Sequence, residues 1–430
     1  MSHDALKKIL EDLPDPSFVE GTTKLPERFA IALPDGDVGA LDDKMFVEWL
    51  LEHSEDAPFG EGGETKRDKK VRNAQRLVTR GKADVAGFDP VAVLGEIEAA
   101  LSPRFHLDAK LEDVIVYPKG GKFARHKDTP HTPNLVGTLV VGLPIAHEGG
   151  QFEIVDGNKL HVVDWSGKQD RGAVRWVALF SDLDHAVKPV TSGSRVTLVY
   201  SLSRSDRPRT DAARDKKLAN LRAATGTLKL ERGAPLLIAC TRQIVTNGKQ
   251  PQSIDSLRGT DREIADTFVD AGFDVVVRAC LVGDDEEGTA PRFPDPTHIW
   301  GITRLSATLP DAVIAGLDSV VSFTDSADAD EDYDFDASLL GEYVLDMVEL
   351  NRWVIRKRAA ATVIYEGMYS ETGYFGNEAS IGHIYTLAAI EVTPQKAKAK
   401  AKAKAKTPAK PKPSAKAKPK PKPKAKPKRR

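Results

Sequence analysis

The fold is decided by the stretch Leu135-Val-Gly-Thr-Leu-Val-Val-Gly-Leu143 and the later run Val174-Arg-Trp-Val-Ala-Leu-Phe180. Both runs are short, rich in β-branched or aromatic residues, and bounded by turn-forming residues, which is typical of strands. Two similar runs, Gln151–Val155 and Leu160–Val163, lie between them. Several short strands at this spacing favour a sandwich or barrel over a parallel α/β sheet. We therefore predict a mainly β fold, a jelly roll (double-stranded β-helix) with flanking helices, one of them at Pro90–Ala100.

Two imidazoles and one carboxylate stand close to the predicted strands. His126 follows the β-rich run Val114–Tyr117, and Asp128 comes two residues later, where the pleat returns a side chain to the same face. His185 follows the strand that ends at Phe180. Two histidines and one carboxylate on one face of an ion, with open positions opposite, are the ligand set of non-haem Fe(II) oxygenases. The sequence predicts that His126, Asp128 and His185 bind Fe(II).

An arginine follows His185 in the sequence. Arg195 lies ten residues after His185 and begins the alternating run Arg195–Leu202. A guanidinium offers a planar pair of N–H donors that matches a carboxylate. We therefore expect Arg195 to hold a carboxylate of a co-substrate.

The chain also contains imitations of both patterns. His106-Leu-Asp108 repeats the His-x-Asp spacing, and Arg171 follows His161 by ten residues. We favour the first set, because we expect no strand to deliver His106 and we place Arg171 in a turn. We expect loop, structural or solvated roles for the other histidines near the site, His131, His147 and His161.

Three segments resemble a known enzyme family. The run Tyr117-Pro-Lys-Gly-Gly-Lys-Phe-Ala-Arg-His-Lys-Asp128 resembles the first iron-binding motif of the 2-oxoglutarate/Fe(II)-dependent dioxygenases of prolyl 4-hydroxylase type. Gly137–Pro144 resembles the central strands of that family, and Phe180–Arg195 resembles its closing motif. Ala57–Thr65 and Gly376–Glu378 resemble segments that flank the core in larger members, so the likeness spans roughly residues 57 to 392.

The resemblance implies specific roles in a co-substrate pocket. It implies that Arg195 pairs with the distal carboxylate of 2-oxoglutarate and that Tyr117 reaches the same pocket. Thr197, on the Arg195 face of its strand, is a weaker candidate for that pocket. Prolyl hydroxylases often place a Tyr on the central strand where this chain reads Val140-Val-Gly142, and we expect Thr138 to substitute for it.

The resemblance also implies a reaction. Fe(II), 2-oxoglutarate and O2 would be required, with ascorbate allowed as an accompanying reductant. Decarboxylation of 2-oxoglutarate to succinate and CO2 would accompany hydroxylation of a C–H bond. We expect a protein or peptide substrate, hydroxylated on a prolyl or other side chain. The alternatives are the same iron chemistry on nucleic acid or a small molecule, and a non-catalytic DNA-associated protein that keeps the jelly roll.

Composition divides the chain into unequal parts. We predict an N-terminal α/β extension over residues 1–90, the dioxygenase jelly roll over 91–204 and an α+β accessory domain over 205–394. In the accessory domain we expect strands at 235–239, 274–282 and 298–305 and helices at 261–271 and 339–354.

The last part, residues 395–430, is rich in Lys, Ala and Pro. Residues 396–430 contain 15 Lys and 2 Arg without an acidic residue, whereas the rest of the chain has 45 basic residues against 63 acidic ones. We expect a disordered tail, because this composition has no apolar surface to bury. It would bind nucleic acid non-specifically. The alternatives are docking on the acidic segments Asp284–Glu287 and Asp325–Asp336, and hydroxylation of the tail's own prolines.

The two cysteines and the hydropathy indicate the compartment. Cys240 and Cys280 each lie beside an apolar run, which favours two buried thiols in a reducing compartment over a disulfide. No run of about 18 apolar residues is present, so we expect no membrane partner. We expect a cytoplasmic protein, associated through its tail with a nucleoid or, in a eukaryote, placed in the nucleus.

Overall fold

A computed structural model of the chain describes residues 3–25, 28–61, 64–78, 83–128, 132, 134–157, 159–167, 170–244, 251–284, 299–305, 344–347, 352–354, 356, 361–370 and 379–395. The residues up to Gln395 form one compact unit. The described part is mostly β-sheet with few helices, which is compatible with a jelly-roll-like fold. The predicted tail and His131 lie outside the described residues, as do the segments Asp325–Asp336 and Gly376–Glu378.

Six α-helices and one short 3₁₀ helix occur in the described residues. They are α1 (His3–Glu11), α2 (Phe46–Glu52), α3 (Val91–Leu101), α4 (Ala212–Lys217), α5 (Ala219–Thr227), α6 (Gly259–Asp270) and the 3₁₀ helix Ile254–Ser256. The predicted helices at 90–100 and 261–271 are confirmed as α3 and α6. The short helix α4 begins at a favourable cap, because the Asp211 carboxylate accepts hydrogen bonds from two backbone N–H groups of its first turn.

Two antiparallel sheets contain the predicted jelly-roll strands. The larger has seven strands, in the order β1 (Phe18–Lys24), β16 (Ala173–Phe180), β12 (Leu135–Gly142), β19 (Arg195–Pro208), β10 (Phe105–Tyr117), β8 (Gln75–Leu77) and β4 (Ser54–Asp56). The smaller has five, in the order β15 (Lys159–Val163), β14 (Phe152–Asp156), β17 (Asp184–Val187), β11 (Lys122–His126) and β7 (Arg72–Asn73). The strands predicted from the opening runs are therefore confirmed.

Three small sheets complete this half of the chain. They are the ribbon β13 (His147–Gly149) with β18 (Val190–Gly193), the sheet β3 (Val38–Ala40), β2 (Ala30–Ala32) and β9 (Asp84–Ala86), and the ribbon β5 (Phe59–Glu61) with β6 (Glu64–Lys66). The ribbon of β13 and β18 matters for function, since β18 ends two residues before Arg195.

The two larger sheets share one hydrophobic core. Leu139, Val141, Val177 and Leu198 are fully buried in it, and Trp176 is almost so. Burying each side chain of this size stabilises the fold by about 1.5–3 kcal/mol. Gly21 lies against the Trp176 indole so closely that any side chain there would collide with the ring. This core makes the sheets a rigid support for residues at their ends.

A second core lies in the C-terminal half. Its sheet has the order β23 (Val344–Met347), β22 (Ile299–Leu305), β21 (Phe273–Asp284), β26 (Ala379–Pro394), β20 (Leu236–Ala239) and β24 (Trp353–Val354), with β25 (Ala361–Ser370) also paired to β26. Helix α6 packs on β21 and contributes Ile264 and Phe268 to this core. Leu6 and Leu10 of the N-terminal helix α1 belong to it as well.

One predicted helix is wrong. The segment 339–354 was expected to be helical, but its described residues include the strands β23 and β24. Residues 344–347 extend the sheet beside β22, and Trp353–Val354 pairs in parallel with Leu237 and Ile238 of β20. Backbone pairing at the edges of a sheet overrides the local helical periodicity of this segment.

Both cysteines are buried and neither forms a disulfide. Burial raises the pKa of the Cys240 thiol well above its ordinary value. In the described part of the chain, no helix has the length and hydropathy needed to cross a membrane.

Candidate active site

The pairing of β11 with β17 brings the two predicted histidine ligands together. His126 is the last residue of β11 and lies opposite His185 in the antiparallel pair. Their ring centroids are 4.2 Å apart and the ring planes meet at 56°. Phe123 stacks on the His126 ring, with centroids 3.5 Å apart, and limits its rotation. A chain separation of 59 residues is thus closed by strand pairing alone.

The carboxylate of Asp128 completes the group. Its Oδ1 lies 3.7 Å from Nε2 of His185, and its Oδ2 accepts a hydrogen bond of 2.5 Å from the Thr138 hydroxyl. One ligand atom from each of His126, Asp128 and His185 can be chosen so that all three lie within 4.8 Å of one another. Among the described residues no other such group of histidine, cysteine or acidic side chains occurs.

Hydrogen bonds set the tautomer of both histidines. Nδ1 of His126 lies 2.9 Å from the Ala124 carbonyl oxygen, and Nδ1 of His185 lies 3.0 Å from the Leu183 carbonyl oxygen. A carbonyl only accepts, so Nδ1 carries the proton and Nε2 carries the lone pair that a metal needs. Burial and the neighbouring His185 lower the pKa of His126 to about 4, which keeps its imidazole neutral at pH 7.

The donor set suits a divalent transition metal. Two imidazoles and one carboxylate match the nitrogen and oxygen preference of Fe(II) and leave the remaining coordination positions open. Each candidate ligand is oriented by a hydrogen bond: the two histidines donate to backbone carbonyls, and Asp128 accepts from Thr138. The residues present therefore fit the predicted ion.

Arg195 is buried, and no acidic side chain of the described residues pairs with it. Its side chain is 2 % exposed and lies among three aromatic rings, with Cζ 5.0 Å from the Trp165 centroid, 5.7 Å from Tyr117 and 6.0 Å from Phe152. Nε and Nη2 have no hydrogen-bond partner among the described residues. Burial lowers the pKa of Arg195 to about 10, so the guanidinium stays charged at pH 7. A buried cation without an anion is costly, which indicates a site for an anionic ligand.

One aromatic side chain joins the two halves of the site. The Phe152 ring lies 5.4 Å from the His185 ring, and its centroid is 6.0 Å from Arg195 Cζ. The metal-ligand group and the guanidinium therefore border the same apolar wall.

The remaining predicted pocket residues take different positions. Tyr117 lies opposite Arg195 in the pairing of β10 with β19, and its ring contacts the guanidinium. Thr197 is buried two residues after Arg195 on the same strand face. Thr138 donates to Asp128, so the contact that the structure shows is with a metal-ligand candidate.

The imitation motifs have other partners. His106 does lie in a strand, β10, contrary to the expectation, because the pairing of β10 with β19 extends much further than the β-rich run at 114–117. Its Nδ1 lies 3.1 Å from Glu98 Oε2, while Asp108 pairs with Arg207. His161 lies in β15 and packs edge-on against Phe18, 4.9 Å between centroids.

His147 was expected to be structural or solvated, and the structure places it beside Arg195. Its side chain is 5 % exposed, and Nδ1 lies 2.9 Å from the Ile145 carbonyl oxygen. Its Nε2 is buried with no hydrogen-bond partner among the described residues. The pair Gly149-Gly150 follows in the sequence, and both glycines adopt a φ of +71°.

Residues after the jelly-roll strands also reach the site. The Gln243 N–H donates to Asp182 Oδ2 (2.9 Å) and Arg258 Nη1 donates to the Ser181 hydroxyl (2.8 Å), both in the loop that leads to His185. Lys127 lies between His126 and Asp128 in the sequence, and its ammonium donates to the Gln243 side chain at 3.0 Å. Nothing in the local sequence around Arg258 reveals a partner 77 residues away.

Three solved structures are similar to part of the chain. A Pseudomonas putida prolyl-4-hydroxylase is 18% identical, over 46% of this chain and 99% of that chain, with a TM-score of 0.30. An oxidoreductase of the 2OG-Fe(II) oxygenase family from Burkholderia pseudomallei is 17% identical, over 47% and 91%, with a TM-score of 0.24. A Trichoplax adhaerens prolyl hydroxylase, in complex with a peptide fragment of the hypoxia inducible factor oxygen degradation domain, is 15% identical, over 41% and 83%, with a TM-score of 0.25.

No family model and no curated protein matches the chain. The geometry of the site therefore has to carry the functional assignment.

Proposed function

We propose that this chain is an Fe(II)- and 2-oxoglutarate-dependent dioxygenase that hydroxylates a C–H bond of a peptide, with a prolyl side chain as the preferred position. The observation that carries the proposal is the pairing of two unusual features at one wall of the fold. A His-Asp-His group has converging lone pairs, and two nitrogens of a fully buried guanidinium have no hydrogen-bond partner among the described residues.

His126, Asp128 and His185 would hold the iron. When bound, Fe(II) supplies the activation of O2 that couples decarboxylation of 2-oxoglutarate to hydroxylation of the substrate. The protein's part is to present two neutral Nε2 atoms and one carboxylate. Thr138 fixes the carboxylate by its hydrogen bond to Oδ2.

Arg195 would bind the distal carboxylate of 2-oxoglutarate. The charge of the guanidinium is already desolvated by its aromatic surroundings, so little water has to be removed when the carboxylate arrives. Tyr117, which contacts the guanidinium, and Thr197, on the same strand face, would contribute to the same pocket. Phe152 would exclude water between the guanidinium and the metal ligands.

The domain organisation belongs to the same proposal. Residues 91–204 would form the double-stranded β-helix, with 1–90 as an extension and 205–394 as an accessory domain. The two separate hydrophobic cores support a division near residue 204. The contacts of Gln243 and Arg258 with the loop before His185 suggest that the accessory region supports the metal site.

The peptide substrate rests on the motif resemblance at Tyr117–Asp128 and Phe180–Arg195. To test the function, the full chain is incubated with Fe(II), 2-oxoglutarate, labelled O2 and a set of proline-containing peptides. We expect succinate and hydroxylated peptide in equal amounts, with the hydroxyl oxygen derived from O2. Absence of succinate with every peptide, oligonucleotide and small molecule offered, in a protein that takes up no Fe(II), would reject the proposal.

Nucleic acid is the second candidate partner, and a specific observation favours it. Residues 396–430 carry 17 basic side chains and no acidic one, a composition that binds polyphosphate and releases counterions. Removing these residues should abolish most retention on DNA at low salt and leave 2-oxoglutarate turnover unchanged. Undiminished retention by the truncated chain would reject a role for the tail.

A further inference from the structure

His147 is held firmly next to the strand that delivers Arg195. It begins β13, where it pairs with Gly193 of β18, and its carbonyl oxygen accepts a hydrogen bond from the Gly167 N–H at 2.9 Å. Because β18 ends two residues before Arg195, the ribbon fixes the position of one residue relative to the other. The imidazole cannot turn away without breaking the bond from Nδ1 to Ile145.

The nitrogen of His147 that faces away from this bond has no partner. Since the Ile145 carbonyl only accepts, Nδ1 carries the proton, and Nε2 of the neutral ring carries a lone pair. Nε2 is buried, and no described residue offers it a hydrogen bond. A buried polar atom without a hydrogen bond destabilises the fold by about 1–3 kcal/mol. A ligand that forms a hydrogen bond with Nε2 would remove this cost.

The side chains of His147 and Arg195 both lie close to Gly150. A methyl group placed on Gly150 would lie 3.1 Å from Arg195 Cδ and 3.6 Å from His147 Cδ2. Each of these carbons is bonded to a nitrogen without a partner, Nε of Arg195 and Nε2 of His147. A side chain at position 150 would crowd these groups, so the glycine lets His147 and Arg195 lie close together, each with a nitrogen that has no partner among the described residues.

The electrostatic surroundings of His147 change when an anion binds beside Arg195. Burial lowers the pKa of His147, the Arg195 guanidinium lowers it further, and Asp164 and Glu148 act in the opposite direction. Without a ligand the ring is therefore neutral. A carboxylate bound to the guanidinium cancels its repulsion and offers an acceptor for Nε2–H, so both effects favour the protonated ring.

We propose that His147 is a second carboxylate-binding residue of the co-substrate pocket and that it takes up one proton from solution when 2-oxoglutarate binds beside Arg195. The proton goes to Nε2, which then donates a hydrogen bond to the distal carboxylate, and no other bond forms or breaks. This inference rests on the proposed function.

The proposal has a pH dependence of known sign. The bound state holds the proton more tightly than the free state, so affinity is greatest at low pH and falls as pH rises. Between the free and bound pKa values of His147, the dissociation constant of 2-oxoglutarate should rise about tenfold per pH unit. Arg195 keeps its charge through this range, because its pKa remains at about 10.

Calorimetry of the full chain tests this without turnover. The protein is loaded with Mn(II), and 2-oxoglutarate is titrated in two buffers of different ionisation enthalpy at several pH values. We expect uptake of a fraction of a proton approaching one per ligand in the wild type. We expect His147→Phe to lose this uptake and the pH dependence, and to bind on the order of 10-fold more weakly at low pH. His147→Gln should keep part of the affinity and lose the proton uptake.

Controls separate this inference from the proposed function. His161→Gln removes a histidine of the edge strand β15, which pairs with β14, and should bind like the wild type. Circular dichroism and Mn(II) binding show whether each variant is folded. Wild-type protein that binds 2-oxoglutarate with no proton uptake, or with uptake that persists in a folded His147 variant, overturns the inference alone. Wild-type protein that binds Mn(II) but no 2-oxoglutarate overturns both proposals.

Discussion

The two His-x-Asp segments share a spacing and lie in strands that belong to the same core, yet they have opposite surroundings. At His126-Lys-Asp128, the Nδ1–H of the imidazole donates a hydrogen bond to a backbone carbonyl. Nε2 keeps its lone pair, and the ring lies next to a second imidazole. At His106-Leu-Asp108 the imidazole faces the carboxylate of Glu98 and the aspartate faces an arginine. Both side chains of the second segment therefore already have polar partners elsewhere in the fold.

The His-x-Asp spacing alone does not make a metal-binding group. Spacing places two side chains on one face, but binding needs lone pairs that converge and have no other partner. The same distinction holds for the two arginines that follow a histidine by ten residues. Arg195 is buried with unpaired nitrogens, whereas Arg171 is exposed in a turn.

The largest effect should come from removing one aspartate of each segment. We expect Asp128→Ala to lower Fe(II)-dependent succinate formation below about 1% of wild type, since loss of a residue that merely supports a ligand already costs about 10–100-fold. Asp108→Ala should be as active as the wild type. Succinate release and metal content per chain measure the difference. Equal losses in both variants would remove the distinction between the segments.

The paired arginines come next. Arg195→Met should weaken 2-oxoglutarate binding on the order of 100-fold, because hydrogen bonds to charged groups contribute about 1.5–3 kcal/mol. The free energy of unfolding without ligand should not fall, since an apolar side chain replaces a buried unpaired charge. Arg171→Met should change neither quantity. Calorimetry and urea unfolding provide both values, and a strongly destabilised Arg195→Met that still binds would show that Arg195 is structural.

A smaller effect is expected at the hydrogen bond that orients Asp128. Thr138→Val removes the hydroxyl that donates to Oδ2, and we expect Mn(II) affinity to fall about 10-fold, at the low end for residues that support a metal ligand. Thr138→Ser keeps the hydroxyl and should restore most of the affinity. Titration followed by electron paramagnetic resonance gives the constants. A serine variant as weak as the valine variant would show that the methyl group, and not the hydrogen bond, matters.

The smallest effect concerns the residue inside the His-x-Asp segment. The Lys127 ammonium lies 3.8 Å from Asp184, next to His185, and donates to Gln243. Because the pair is partly exposed, Lys127→Ala should change Mn(II) affinity by less than about fivefold, within the range of about 0–1 kcal/mol for surface ion pairs. The difference should shrink further at high salt. A loss as large as that of Thr138→Val would mean that Lys127 positions the ligands.

Most of the central strands and the metal-ligand candidates were predictable. Alternation and turn residues mark β12, β16 and the start of β19, and a separation of two residues places His126 and Asp128 on one face. The burial of Arg195 was not predictable. Its position in an aromatic enclosure depends on Phe152, which lies in β14, and on Trp165, which follows β15.

Of the two roles expected for His147, structural or solvated, the structure shows a buried ring bonded to a backbone carbonyl, and the sequence could not decide between them for a related reason. The surrounding sequence is that of a short polar connection with two glycines, and polar connections are usually solvated. Its burial comes from the ribbon of β13 and β18, which forms only when residues 190–193 return to this position. The strand containing His106 was missed because the pairing of β10 with β19 supplies regularity that residues 105–113 do not show locally.

Chemistry that depends on residue type and short spacing was determined by the sequence: a strand-rich core, two imidazoles and a carboxylate, a following arginine and a basic tail. Tertiary structure decided which of these groups lose their water and which find partners. The physical reason is that desolvation and hydrogen-bond satisfaction depend on neighbours from distant strands. The unpaired nitrogens of Arg195 and His147 become neighbours only when β13, β18 and β19 are assembled.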